Sequence, residues 1–85
     1  MIEVLRLERT RVTDKSLPLL AGFPHLRELN LSRTRVTAAG IPSISALTSL
    51  VDLGLAGLLL MDESLAPLAG LTGLVRLDLS DNPVS

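Results

Sequence analysis

The chain has 85 residues and a mass of 9.0 kDa, which suits one small domain. Its 8 basic and 9 acidic side chains give a net charge of -1, and Phe23 is its single aromatic residue, so it lacks the basic surplus and stacking side chains of a nucleic-acid binder. The absence of cysteine excludes disulfides, thiolate metal sites and a cysteine nucleophile. The longest apolar-or-glycine run, residues 53–61, is shorter than the about 20 residues that a membrane helix needs. Charged residues break up the N-terminal stretch, so we expect no signal peptide and a cytoplasmic location.

The first predicted elements, within residues 2–25, are a strand followed by a helical segment. Leu5 and Leu7 are separated by one polar residue, which is typical of a strand with one buried face. Leu17 and Leu20 are three residues apart, and this wider spacing favours a helical return. Because Pro18 is tolerated only in the first turn of a helix, we predict a short helix or a 3₁₀ turn, with Thr13 as its cap or turn residue.

The same two patterns recur along the chain in units at about 26–49, 50–73 and 74–85, the last of them partial. Apolar columns keep a step of 24 residues. They include Ile2, Leu26, Leu50, Leu74; Leu5, Leu29, Leu53, Leu77; Leu7, Leu31, Leu55, Leu79; and Val12, Val36, Leu60, Val84. In the second unit Thr37 corresponds to Thr13, and further prolines stand at 42 and 67 in the return segments. This regularity predicts four stacked parallel strands covered by three return segments.

The repeated unit resembles a known family. Residues 26–36 read LRELNLSRTRV and residues 74–84 read LVRLDLSDNPV, and both resemble the leucine-rich repeat motif LxxLxLxxNxL. Residues 10–17 and 34–41 resemble the bacterial and F-box-like variety. The resemblance covers residues 1–85 as a single domain. It implies an α/β solenoid, a right-handed superhelix with four short parallel strands on the concave face and short helices or 3₁₀ turns on the convex face. It also implies a scaffold that binds a protein partner through the concave strands.

The asparagine position of the motif varies among the four units. In the family this side chain usually satisfies backbone groups where the chain leaves the sheet, and here it is Thr10, Thr34, Leu58 and Asn82. A threonine hydroxyl can do part of that task, whereas Leu58 can do none. An unpaired buried backbone group costs about 1–3 kcal/mol. We therefore expect a loose corner at residues 57–59 that traps a water molecule.

The ends of the repeat carry no recognisable cap sequence, so each is expected to expose a strand edge and apolar side chains. Residues 1–42 carry a net charge of +3 and residues 43–85 a net charge of -4. The alternatives are a piece of a longer array, end-to-end self-association and a marginally stable monomer. The charge difference is compatible with head-to-tail stacking, but ordinary variation between units explains it as well.

The strand residues between the leucines are expected to point outwards, where arginines dominate the first two units. The third unit contributes a small apolar strip of Gly54, Ala56, Gly57 and Leu59. The predicted partner-contacting residues are Arg6, Glu8, Arg9, Arg11, Glu28, Asn30, Arg33, Arg35, Asp52, Arg76 and Asp78. One interpretation is an arginine patch for an acidic partner. The other is a solvated surface on which Glu8 and Glu28 pair with the arginines.

No pattern of catalytic or metal-binding residues stands out in the sequence. His25 is the only histidine, and a lone loop histidine is usually a solvated side chain. Asp78, Asp81 and Asn82 do not have the spacing of a calcium loop. We expect no enzyme activity, cofactor or metal, no nucleic-acid or membrane partner, and a role as a protein-binding module. The alternative is a structural segment of a longer array or a self-stacking solenoid.

Overall fold

A computed structural model describes residues 2–83, in which four short strands form one parallel sheet. The strands are β1 (Val4–Arg6), β2 (Glu28–Asn30), β3 (Asp52–Gly54) and β4 (Arg76–Asp78). They lie side by side in chain order, and paired residues are 24 positions apart in every strand pair, as in Leu5 with Leu29. The predicted stack of four parallel strands is thus confirmed. Val84, the last member of one apolar column, lies outside the described residues.

Short helical segments return the chain from each strand to the next, as the apolar spacing predicts. They are the 3₁₀ helix Asp14–Gly22, the 3₁₀ helix Ala38–Gly40 followed by α1 (Ile41–Ser45), and the 3₁₀ helix Asp62–Gly70. Pro42 stands in the first turn of α1, where its missing N–H removes no helical bond. Pro18 and Pro67 lie inside the two longer segments, which are 3₁₀ and not α-helical. None of these segments within residues 2–83 is long and apolar enough to cross a membrane.

The first two return segments are joined by a polar contact. Thr37 caps the second segment, because its hydroxyl accepts from the Ala39 amide at 3.2 Å. Thr13 takes the equivalent cap position but makes no side-chain cap bond. The Asp14 carboxylate accepts from the Thr37 amide at 2.7 Å and also from its hydroxyl. Gly40 allows this approach, since a Cβ there would lie 2.5 Å from Asp14 Oδ1.

The core lies between the sheet and the return segments and is built from the repeated leucines and isoleucines. Leu29 in β2 and Leu53 in β3 are 1% and 0% exposed, whereas the equivalent Leu77 in β4 is 39% exposed. Each fully buried leucine contributes about 1.5–3 kcal/mol of transfer free energy relative to an exposed one. The middle of the sheet is therefore sealed by its neighbours, and the outer strand is not.

The corner at residues 57–59 is not loose, and that prediction is wrong. Leu58 is buried in the core, and its amide and the Leu60 amide both donate to Asn82 Oδ1 at 2.9 Å. Asn82 Nδ2 donates in turn to the carbonyls of Leu55 and Leu79, at 2.7 and 3.1 Å. The asparagine of the fourth unit thus satisfies the backbone of the third. Since Leu58 need not do so, it is free to pack against apolar neighbours.

Replacing Asn82 with alanine tests this bracing. The variant loses the acceptor for two amides and the donor to Leu55, so we expect the free energy of unfolding to fall by about 2 kcal/mol in urea titration. The matched control is Thr34→Ala, which removes a hydroxyl that donates to the carbonyl of Leu31 in its own unit. We expect that control to cost about 1 kcal/mol or less. Equal losses, or unchanged amide exchange at Leu58 and Leu60 in Asn82→Ala, would contradict the assignment.

Candidate protein-interaction surface

The surface in question is the side of the sheet that faces away from the core, here called the sheet face. Strand residues that alternate with the buried leucines form it. They are Val4 and Arg6, Glu28 and Asn30, Asp52 and Gly54, and Arg76 and Asp78. The register of the sheet places each of these side chains beside its equivalent in the next unit. The candidate residues within the strands are therefore brought together as the sequence predicts.

A shallow, open depression of about 230 Å³ lies in the middle of the sheet face. Gly54 lines it and leaves the space of a side chain beside Asn30 and Asp78, its partners in the neighbouring strands. Asn30 already occupies much of that space, since a Cβ on Gly54 would lie 2.6 Å from Asn30 Oδ1. The depression is lined by Arg6, Glu28, Leu29, Asn30, Asp52, Gly54, Arg76 and Asp78. Its lining carries charges of both signs.

Three ion pairs join neighbouring units across the sheet. Arg6 pairs with Glu28 at 3.5 Å, Arg76 with Asp52 at 3.6 Å, and Arg27 with Glu3 at 3.9 Å. Their side chains are all largely or partly exposed to solvent, so each pair contributes only about 0–1 kcal/mol. These weak contacts nevertheless engage charges that a partner protein would otherwise meet unpaired.

The amide of Asn30 engages Glu8. Asn30 Nδ2 donates to Glu8 Oε2 at 3.3 Å, and Asn30 Oδ1 accepts from the Ser32 amide at 3.0 Å. The interpretation that glutamates pair with the arginines therefore holds for Glu28 but not for Glu8. Asn30 is held by bonds at both ends of its amide group.

Arg33 crosses the third unit and pairs with Asp81 in the fourth. Its side chain passes over Gly57, where a Cβ would lie 3.1 Å from Arg33 Cγ and 3.1 Å from its Nη1. Gly57 has φ of 66°, in the left-handed region that favours glycine. The glycine thus serves both the backbone turn and the passage of the arginine.

The predicted apolar strip of the third unit is largely absent from the surface, and the prediction is wrong for Gly54 and Ala56, which are buried. Gly57 is half-buried beneath Arg33, and Leu59 alone of the four is open to solvent. Ser32 is buried as well, and its hydroxyl accepts from the Ala56 amide at 3.0 Å. Side chains of the second unit, Asn30 and Arg33, lie over the glycines of the third unit.

Three further arginines form an exposed group at the edge where the chain leaves the sheet. Arg9, Arg11 and Arg35, here called the arginine corner, are exposed, and no ion pair within residues 2–83 involves any of them. They differ in this from Arg6, Arg33 and Arg76. The sequence does not distinguish the paired from the unpaired arginines, because pairing depends on how far each side chain reaches.

The position that contains Arg9 has left-handed backbone in all four units. Its φ is 61° at Arg9, 57° at Arg33, 66° at Gly57 and 58° at Asp81. A residue with a Cβ pays about 1–2 kcal/mol for this conformation. In the sequence, only Gly57 indicates a left-handed backbone at this position. The other three residues do not predict it.

Asp78 is fully exposed, and its pKa lies below the ordinary value for an aspartate. The main cause is the Ser80 hydroxyl, which donates to Asp78 Oδ1 at 2.7 Å; the Ser80 amide adds a bond of 3.0 Å to the same oxygen. The slight desolvation of the carboxylate opposes these bonds, and the charge of Arg33 assists them. Both donors stabilise the ionised form.

Comparison with known families bears on this surface directly. Residues 24–45 match the family model described as Leucine Rich repeat. These residues are similar to a leucine-rich repeat. The match begins just before β2 and ends with α1, so it contains one strand and its complete return segment. The chain matches no curated protein.

Leucine-rich repeats generally mediate protein–protein interaction and are typically non-enzymatic. The sheet face described above carries exposed charged side chains. His25, the lone histidine, is exposed. Within residues 2–83 no three histidine or acidic side chains are grouped so that they could hold a metal ion.

Replacing Ser80 with alanine tests the cause of the Asp78 shift. We expect the pKa of Asp78 to rise towards its ordinary value but not to reach it, because the backbone donor remains. A lowered folded-state pKa adds stability that is fully present above the unfolded-state pKa and is lost as the pH falls through the folded-state pKa. The titration is followed by the carboxyl-carbon chemical shift in NMR. Ser80→Thr retains the hydroxyl and serves as control, and an identical midpoint in wild type and Ser80→Ala would disprove the assignment.

Proposed function

We propose that this protein is a protein–protein interaction module that binds an acidic protein partner through the sheet face and the adjoining arginine corner. The observation that carries the proposal is the arginine corner, since Arg9, Arg11 and Arg35 are exposed and have no ion-pair partner within residues 2–83. Guanidinium groups bind carboxylates in a bidentate manner, and arginine is enriched in protein interfaces. An acidic partner gains these contacts without breaking an existing pair.

The rest of the sheet face supports the partner in a different way. Arg6, Arg33 and Arg76 are already paired with acidic side chains of other units. A partner that binds these arginines must first displace weak, solvent-exposed ion pairs. The exchange changes the free energy of binding little, because one exposed pair replaces another. Together with Glu28, Asn30 and the other strand residues, they form the polar surroundings of the arginine corner.

The proposal extends to the type of repeat. The strand register of 24 residues across three strand pairs supports 24-residue units, and the Thr-Arg-Val-Thr turns at 10–13 and 34–37 support the bacterial and F-box-like variety. In such an arrangement the sheet face is the concave side of a short α/β solenoid. Equivalent residues of successive units then line one continuous surface.

Neutralising the arginine corner tests the proposal. The probe is a fluorescein-labelled peptide that alternates aspartate with serine, and its binding is measured by fluorescence anisotropy at low salt. The triple variant Arg9→Gln, Arg11→Gln, Arg35→Gln should bind it about tenfold more weakly, because exposed charge contacts contribute about 0.2–1 kcal/mol each. The weakening should shrink as salt is added, since salt screens exposed charges.

The matched control is the triple variant Arg6→Gln, Arg27→Gln, Arg76→Gln, whose arginines are paired within the protein. Both variants lose three positive charges, so a change in overall charge affects them alike. We expect the control to lose much less affinity than the corner variant. Equal losses in the two variants, or no binding of the probe to the wild type, would disprove local recognition by the arginine corner.

A second candidate function is structural. The ends of the sheet would pack either against a second copy of this chain or against further repeats of a longer array. The supporting observation is the exposure of Leu77 in β4, whose equivalents in β2 and β3 are sealed. Continuing the register past β4 would place Arg6 of a second copy beside Asp78, and Arg9 beside Asp81. Opposite charges would then meet across the junction.

Light scattering distinguishes this candidate. A stacking chain should form assemblies at low salt that dissociate when salt is added, because their charged contacts are exposed. Asp78→Lys should weaken assembly by placing like charges at the junction. A monomer at high protein concentration and low salt would exclude self-stacking.

A further inference from the structure

Leu59 has an unusual combination of backbone conformation and exposure. Its φ is 59°, in the left-handed region, although it is a bulky residue with a Cβ. Its side chain is 82% exposed, so burial within the molecule does not compensate for the conformation. At the equivalent positions of the other units, Arg11, Arg35 and Pro83 do not have positive φ. Glycine or asparagine would adopt this backbone more readily.

The loop that carries Leu59 is fixed on both sides. The amides of Leu58 and Leu60 donate to the same atom, Asn82 Oδ1, at 2.9 Å each. The side chains of Leu58 and Leu60 are both buried in the core. Leu59 therefore projects from a backbone that is held before any partner arrives, and a preordered contact loses less conformational entropy on binding.

Leu59 stands beside the arginine corner. It is the residue of the third unit that corresponds to Arg11 and Arg35, and it follows Gly57, over which the Arg33 side chain passes, by two positions. One edge of the sheet thus presents unpaired guanidinium groups followed by the exposed aliphatic side chain of Leu59. A surface of this composition complements a segment in which carboxylates adjoin an apolar residue.

We propose that Leu59 is an apolar anchor that docks, together with Arg11 and Arg35, a partner segment in which acidic side chains flank an apolar one. This inference rests on the proposed function and specifies the partner further. The apolar contact removes water from beside the guanidinium–carboxylate pairs, and charge pairs shielded in this way are stronger than fully solvated ones. The conformational cost at Leu59 is then matched by a contact made outside the molecule.

The experiment compares two labelled peptides of equal length and charge, one alternating aspartate with leucine and the other aspartate with serine. Fluorescence anisotropy should show that the wild type binds the leucine peptide about tenfold more tightly. Leu59→Asn should abolish that preference while leaving the affinity for the serine peptide unchanged. Its midpoint of urea unfolding should not fall, because asparagine tolerates the left-handed backbone better than leucine. A loss of preference thus reports a lost contact and not a lost fold.

The control variant is Leu19→Asn, which removes another exposed leucine, on the first return segment and outside the sheet face. It should retain the preference for the leucine peptide. Equal binding of both peptides to the wild type, or an equal loss of preference in Leu19→Asn, overturns the inference on Leu59. If both peptides bind equally and the arginine-corner variant loses both, the proposed function stands without the anchor. If neither peptide binds, or the corner variant binds both as well as the wild type does, the proposed function fails and the anchor fails with it.

Discussion

The packing of each unit's leucines against those of the next determines everything else in this structure. Leu29 and Leu53 are buried because strands on both sides cover them, and a shift of one residue in either pairing would turn them to solvent. The register of 24 residues is therefore set by the core and not by the polar face. The short strands suffice for this, since every unit contributes the same apolar positions.

Because the register is fixed, polar side chains at equivalent positions of neighbouring units lie side by side. Which contacts they form depends on the residue that each unit has at that position. Where Arg6 meets the second unit, Glu28 lies within reach. Where the third unit has Gly57, Arg33 extends across it to Asp81. A partner meets the side chains that these contacts leave unpaired. Among the arginines of residues 2–83, these are the three residues of the arginine corner.

The sequence predicted the strands, their order and the buried columns, because these follow from a period that each unit displays by itself. It did not predict contacts that reach from one unit into another. The corner at Leu58 is such a case, because the leucine side chain cannot bond the backbone, whereas Asn82 Oδ1 in the next unit accepts from the Leu58 amide. Likewise alternation along the chain predicts Ala56 at the surface, but Ala56 is buried, because alternation does not show what neighbouring units place over a small side chain.

Backbone conformation separates structural contacts from those available to a partner. At Arg33 and Asp81 the left-handed backbone is accompanied by an ion pair between the two side chains, which offsets part of its cost. Arg9 has the same backbone without an ion pair within residues 2–83, and Leu59 has it while remaining open to solvent. A fold that needed only the turn would be more stable with glycine at both places. A contact between these side chains and a partner protein would offset that conformational cost.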